Sequence, residues 1–145
     1  MSLKLNAIKF KLIYMDTLEI LKKSHIWMGN ISATQEEYEQ YFAQYDGITS
    51  QFYKDLGLEG KYYDEDFIGI IPLFIKEIPV YEILSNEVAI SIHDIHEAVE
   101  ACHRLGIYTA NAAFYLSDAS VEVPEPDKLY NGLKYIGLYN SGLGG

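Results

Sequence analysis

The chain has 145 residues, 49% of them apolar, and a formal net charge of −10 from 21 acidic and 11 basic side chains. That length and apolar content suffice for a core without disulfides or metal, and they exclude intrinsic disorder as the main state. With one arginine, Arg104, and this acidic excess, the chain is poorly suited to gripping phosphate backbones; a basic partner suits it better.

Near the N-terminus, Ile8, Phe10, Leu12 and Tyr14 alternate with Lys9, Lys11 and Ile13, which is the period of a strand. Asp16 or Thr17 then caps a short helix, Leu18 to Lys23, whose closing lysines suit a helix C-terminus. Lysines interrupt the apolar runs here, so no secretory signal is read. His25 to Met28 predicts a short strand stopped by a turn at Gly29-Asn30, with Trp27 in the core. Ser32 with Gln35, and Thr34 with Glu37, both have capping-box spacing. Tyr38, Tyr41, Phe42 and Tyr45 follow at i, i+3, i+4 and i+7, opposite Glu36, Glu39 and Gln40. This predicts an amphipathic helix ended by Asp46-Gly47.

Ser50 to Leu56 predicts a second short helix that buries Phe52 and Leu56 and stops at Gly57. Gly60 to Asp66 reads as a polar, aromatic loop and Phe67 to Leu73 as a buried strand. The longest apolar stretch, Phe67 to Ile75, is too short to span a bilayer and contains Pro72. Pro79 to Leu84 predicts a helix with Pro79 near its first turn, and Val88 to Ile92 a strand. Asp94 to Glu97 is another capping box. It opens a helix to about Leu105, closed by Gly106, with Ile95, Ala98, Val99, Cys102 and Leu105 on one apolar face. Ala110 to Leu116 and Leu133 to Tyr139 read as strands, Pro124 to Asp127 as a turn, and residues 140–145 as a flexible tail. The mixed order predicts one α+β domain over residues 1–145, a single layer of mixed or antiparallel sheet packed by helices on one side.

His93, His96, Glu100 and His103 project to one side of the helix opened by Asp94, as metal ligands would. Ten helical residues span about 15 Å, however, so the four cannot reach one ion; a solvated polar face is the simpler reading. Asp64-Glu65-Asp66 with Gly69 imitates the start of a calcium loop, but Ile68 and Ile75 stand where ligands are needed. Cys102 sits at the centre of an apolar stripe, as a small hydrophobe rather than a nucleophile, and a lone cysteine suits a reducing, cytoplasmic compartment. No phosphate loop, nucleophile elbow or Cys-x-x-Cys motif is present. No catalytic residue, cofactor or metal site is expected.

Charge is uneven. Residues 1–24 carry a net +3, residues 25–66 a net −7 from nine acids against Lys54 and Lys61, and residues 67–145 a net −6. Thirteen tyrosines accompany this charge, more than a core of this size needs, and tyrosine is enriched where surfaces recognise other proteins. An acidic loop of this kind serves either solvation or contact with a cationic partner.

His25-Ile26-Trp27-Met28-Gly29-Asn30, then Ser50-Gln51-Phe52-Tyr53-Lys54-Asp55-Leu56-Gly57, Tyr63-Asp64-Glu65-Asp66-Phe67 and Ala110-Asn111-Ala112 together form a specific set. Over residues 24–117 the chain resembles the immunity protein 22 family of bacterial polymorphic toxin systems. The resemblance implies a small cytosolic α+β protein, not an enzyme. It would bind and neutralise a cognate toxin, often a nuclease, encoded beside it. The matching positions Trp27, Gln51, Phe52, Asp55, Asp64, Asp66 and Phe67 serve fold or contact. Residues 1–23 fall outside the pattern, as an added strand or a start codon placed too far upstream.

Resemblance and charge meet at one place. A nuclease must hold phosphate, so its cleft is basic, and an acidic, tyrosine-rich surface fits it. The expected interface residues are Glu36, Glu37, Glu39, Tyr53, Asp55, Tyr62, Tyr63, Asp64, Glu65 and Asp66. Nucleic acid and membrane are not expected partners. The alternatives are a small-molecule-binding or regulatory α+β module without catalysis, and a metal-assisted hydrolase using His96, Glu100 and His103.

Overall fold

A computed structural model of the chain describes residues 18–143. The strand expected at Ile8–Tyr14 lies outside that range. Residues 18–20 are helical, but Lys23, expected at the end of that helix, already opens strand β1 (Lys23–Gly29). There follow helices α1 (Gln35–Gln40) and α2 (Gln51–Asp55), a 3-10 turn (Glu65–Phe67), and strands β2 (Ile68–Ile70) and β3 (Ile78–Pro79). Helices α3 (Val80–Glu87) and α4 (Ile95–Arg104) precede β4 (Thr109–Ala110), β5 (Ala112–Leu116), β6 (Leu129–Tyr130) and β7 (Leu133–Asn140). The main sheet runs β2-β5-β1-β7-β6 with antiparallel pairing throughout; β3 and β4 form a separate pair.

The fold is α+β with an antiparallel sheet, as the order of elements implied. The helices are not confined to one side. Along β1, Ile26 and Met28 enter one core with Val80, Ile83 and Leu84 of α3 and with Ala98 and Cys102 of α4. Trp27 enters the other, with Tyr38 of α1, Phe52 and Tyr53 of α2, and Phe42. Successive strand side chains point to opposite faces, so a run buried from Ser24 to Gly29 requires cover on both. Trp27 stacks on its cross-strand partner Phe114 at 4.8 Å and meets Phe52 edge-on at 5.3 Å. Cys102 packs as the small hydrophobe expected, and burial pushes its thiol up to about 12.

Strand β7 carries a bulge where its register against β1 shifts between Ile26 and Trp27. The extra residue puts Ile136 and Tyr139, three positions apart, into the same core. β6 was not expected. It pairs with β7 through Asn131-Gly132, whose φ angles of 54° and 79° make the two-residue turn natural to a twisted hairpin. The Asn131 amide donates to Tyr38 O at 3.1 Å and so ties the hairpin to α1.

Other expectations are corrected. Val88–Ile92 forms no strand, because Ser91 donates its N–H to Asn140 O (2.7 Å) and the chain turns at once, Asp94 N–H to Ser91 O. Asp94 holds the N-cap position of α4, but its side chain makes no capping bond; the carboxylate accepts instead from Asn140 N–H at 2.8 Å. Leu105 lies beyond the last turn of α4 and is exposed, and Ala101 takes the buried place. Asn140 belongs to β7, and Ser141 donates to Lys22 O and Leu21 O, so the chain is anchored through these two residues.

His25 is buried beside Trp27. Its Nε2 lies 2.7 Å from Val121 O, an acceptor only, so Nε2 carries the proton; Nδ1 then accepts from Tyr135 OH at 2.7 Å. Burial holds the imidazole below its ordinary value. The unfolded chain therefore takes up this proton first as pH falls. Stability should decline as pH drops below about 6.5 toward the lower native value. Urea midpoints measured from pH 7.5 to 5.5 should fall for the native chain and stay flatter for His25→Gln.

Candidate functional site

The acidic segment is shaped by short-range hydrogen bonding. Thr34 caps α1, its hydroxyl accepting from Glu37 N–H (3.1 Å) while the Glu37 carboxylate accepts from Thr34 N–H (3.3 Å). Ser32 with Gln35 had the same spacing but is not the box used. The Gln35 amide donates to Glu39 Oε1 (3.0 Å) and accepts from Leu73 N–H (2.8 Å), which fixes the Glu39 carboxylate beside the segment after β2. The helix ends at Gln40, sooner than its apolar period suggests. Tyr45 and Ile48 then exchange backbone hydrogen bonds around Gly47, whose φ of 78° suits glycine. Tyr45 therefore leaves the apolar face and stands 58% exposed.

Opposite this hairpin lies the stretch before β2. The side-chain amide of Gln44 grips it twice, donating to Tyr63 O (2.7 Å) and accepting from Tyr63 N–H (3.2 Å). The Tyr63 hydroxyl donates to Phe42 O, and burial, with the nearby Glu65 carboxylate, pushes that phenol up to about 12. Asp64 opens the 3-10 turn by accepting from Asp66 N–H at 2.9 Å. Glu65 is thereby turned outward at the start of β2.

Between the two segments runs a cleft of about 510 Å³. It is lined by Glu39 and Glu65, by Gln44 and Tyr45, and by the apolar side chains of Phe42, Ile68 and Ile70. A smaller hollow of about 230 Å³ shares Gln44, Tyr45 and Glu65 with it and adds Asp46 and Tyr62. Among the described residues, no lysine or arginine lines either.

Of the ten residues expected at an interface, Glu39, Tyr62, Tyr63 and Glu65 line this joined cleft. Glu36 and Asp66 are exposed beside it; Glu37 and Asp64 spend their carboxylates on caps. Tyr53 is buried, its ring edge-on to Tyr63 at 5.3 Å, and burial pushes its phenol up to about 12. Asp55 faces away. It accepts from Tyr41 OH (2.7 Å) and Gln51 (2.9 Å) and pairs with Lys128 at 3.6 Å. Gln44, Asp46 and Tyr45 were not among the ten. The turn signal Asp46-Gly47 pointed to the hairpin that presents Tyr45, but nothing in the sequence pointed to the Gln44 clasp.

The histidine line is elsewhere. His96 pairs with Glu100 one turn on (3.1 Å), and His103 stacks on Tyr108 at 4.7 Å. Among the described residues, no three His, Cys, Asp or Glu side chains converge to hold a metal ion, and no helix is long and apolar enough to cross a membrane.

The molecule is thus a helix-backed antiparallel sheet carrying an open acidic cleft. The family model described as Immunity protein 22 matches residues 24–141, and the chain belongs to that family. No curated protein and no solved structure matches it.

The clasp carries a direct prediction. Gln44→Ala leaves the Tyr63 N–H and C=O without their partner and should lower unfolding stability by about 1–3 kcal/mol. Glu36→Gln, on the exposed face of α1, should stay within about 0.5 kcal/mol. Urea unfolding of the two variants checks the contrast.

Proposed function

We propose that this chain is a non-catalytic inhibitor that neutralises a cognate toxin, a nuclease of a bacterial polymorphic toxin system, by seating its acidic cleft on the toxin's basic surface in the cytoplasm. Membership of an immunity protein family supports a toxin partner. The observation that carries the choice of surface is the convergence of Glu39 and Glu65, from separate segments, on one cleft with no cationic side chain among the described residues of its lining. Asp46, Tyr45 and Tyr62 extend it with charge and with rigid rings that bury large area at low entropic cost. Glu36 and Asp66 add field around the rim. The net −7 of residues 25–66 steers a positive partner toward this side before contact.

Co-expression with the toxin encoded beside it is the test. Toxicity should be abolished and a complex recovered on gel filtration; unchanged toxicity or no complex overturns the reading. Raising ionic strength from about 0.01 to 0.15 M shortens the screening length from about 30 to 8 Å, so association should slow by about tenfold. Glu39→Lys with Glu65→Lys should slow it further and flatten its salt dependence. A stopped-flow rate that ignores both would remove the cleft from the mechanism.

A further inference from the structure

We infer that the open edge of β2 receives an extended, basic segment of the partner as an added strand, with a lysine or arginine side chain seated between Glu39 and Glu65. This rests on the reading that the cleft is the partner-binding site, and it specifies the backbone conformation of what binds there.

Among the described residues β2 is an edge strand, paired with β5 alone. The phase of that pairing is set at its two ends. Ser117 donates its N–H to Phe67 O (2.7 Å) and Ile71 donates to Ala113 O (3.3 Å). In an antiparallel ladder, alternate residues turn their peptide groups toward the neighbour. Phe67, Gly69 and Ile71 therefore face β5, and the N–H and C=O groups of Ile68 and Ile70 face away from it. Among the described residues no other strand pairs with them. The same two residues line the acidic cleft, so outward-facing peptide groups and carboxylates border one space.

The chemistry of the edge chooses the occupant. Edge strands are commonly guarded by lysine or proline. The opposite edge, β6, follows Lys128, which pairs with Asp55 and Glu125. β2 reads Ile-Gly-Ile, with no guard inside it, Asp64, Glu65 and Asp66 before it and Pro72 closing its far end. A second copy of this chain would bring the same acids face to face and is repelled. A basic strand is attracted. On an added strand every second side chain points to the same face, so one cation placed over Glu39 and Glu65 sets the register while the peptide groups of Ile68 and Ile70 supply the hydrogen bonds.

The probe is a capped heptapeptide of alternating lysine and valine, titrated into the full chain with amide exchange followed by NMR. Exchange at Ile68 and Ile70 should slow by about tenfold or more at saturation. A peptide N-methylated at alternate residues should give no protection, and Glu39→Gln with Glu65→Gln should weaken binding by about fivefold. Unchanged exchange at Ile68 and Ile70, or equal protection by the N-methylated peptide, overturns the inference. The toxin complex separates the two claims. If it forms but these amides exchange as fast as in the free protein, strand addition falls and the inhibitor reading stands; if no complex forms, the inhibitor reading falls.

Discussion

The structure depends on one strand being buried on both faces. β1 lies between β5 and β7, and its alternation sends Ile26 and Met28 one way and Trp27 the other. Each core is closed by a different pair of helices, and neither has a sheet to pack on without β1. Burying three large side chains contributes about 1.5–3 kcal/mol each, so truncating any of them is costly. It also couples the halves: loss of Trp27 loosens the ring cluster beneath α1 and α2, while Ile26 and Met28, on the same backbone, hold α3 and α4.

The acidic cleft is built on the Trp27 side of that strand. Phe42 belongs to this core and also lines the cleft, so the cleft's apolar wall is an outer layer of the core. The carboxylates above it are held in two ways. Glu37 and Asp64 satisfy backbone donors and shape the segments; Glu39 and Glu65 are left at the surface, oriented by those segments. Exposed carboxylates keep their hydration and cost the fold little. Beside a low-dielectric wall their field reaches an approaching cation more strongly than it would from an open surface.

Much of this was legible where the signal is local. Ser50 and Gly57 bracket α2 because a cap and a left-handed stop depend only on neighbouring residues. The capping box of α1 was legible for the same reason, but not which of two candidates is used, since Gln35 is taken up by Leu73. The apolar period ran on to Tyr45 although the hairpin around Gly47 wins there. β6 is too short to carry a period; its trace was the Asn131-Gly132 pair. The order of elements led to helices on one side of the sheet; the unbroken run Ile26-Trp27-Met28 fits the cover on both faces that the two cores show. At the cleft, composition marked the acidic, tyrosine-rich segment but not the orientation of its side chains. Tyr53 and Tyr63 turn inward, Tyr45 and Tyr62 outward; Tyr63 is held by Phe42 and Gln44, well back along the chain, where no local pattern shows it.

Trp27 is the chain's single tryptophan, fully buried and enclosed by Phe52, Phe114, Tyr130 and Tyr135. Phe114, on which it stacks, also meets Phe42 at 4.8 Å, and Phe42 lines the cleft. The one indole is thus two rings from the cleft and shielded from solvent. Its fluorescence is an intrinsic optical reporter: emission from one defined site, blue-shifted while the ring cluster is intact, and sensitive to any repacking that an occupant of the cleft transmits through Phe42.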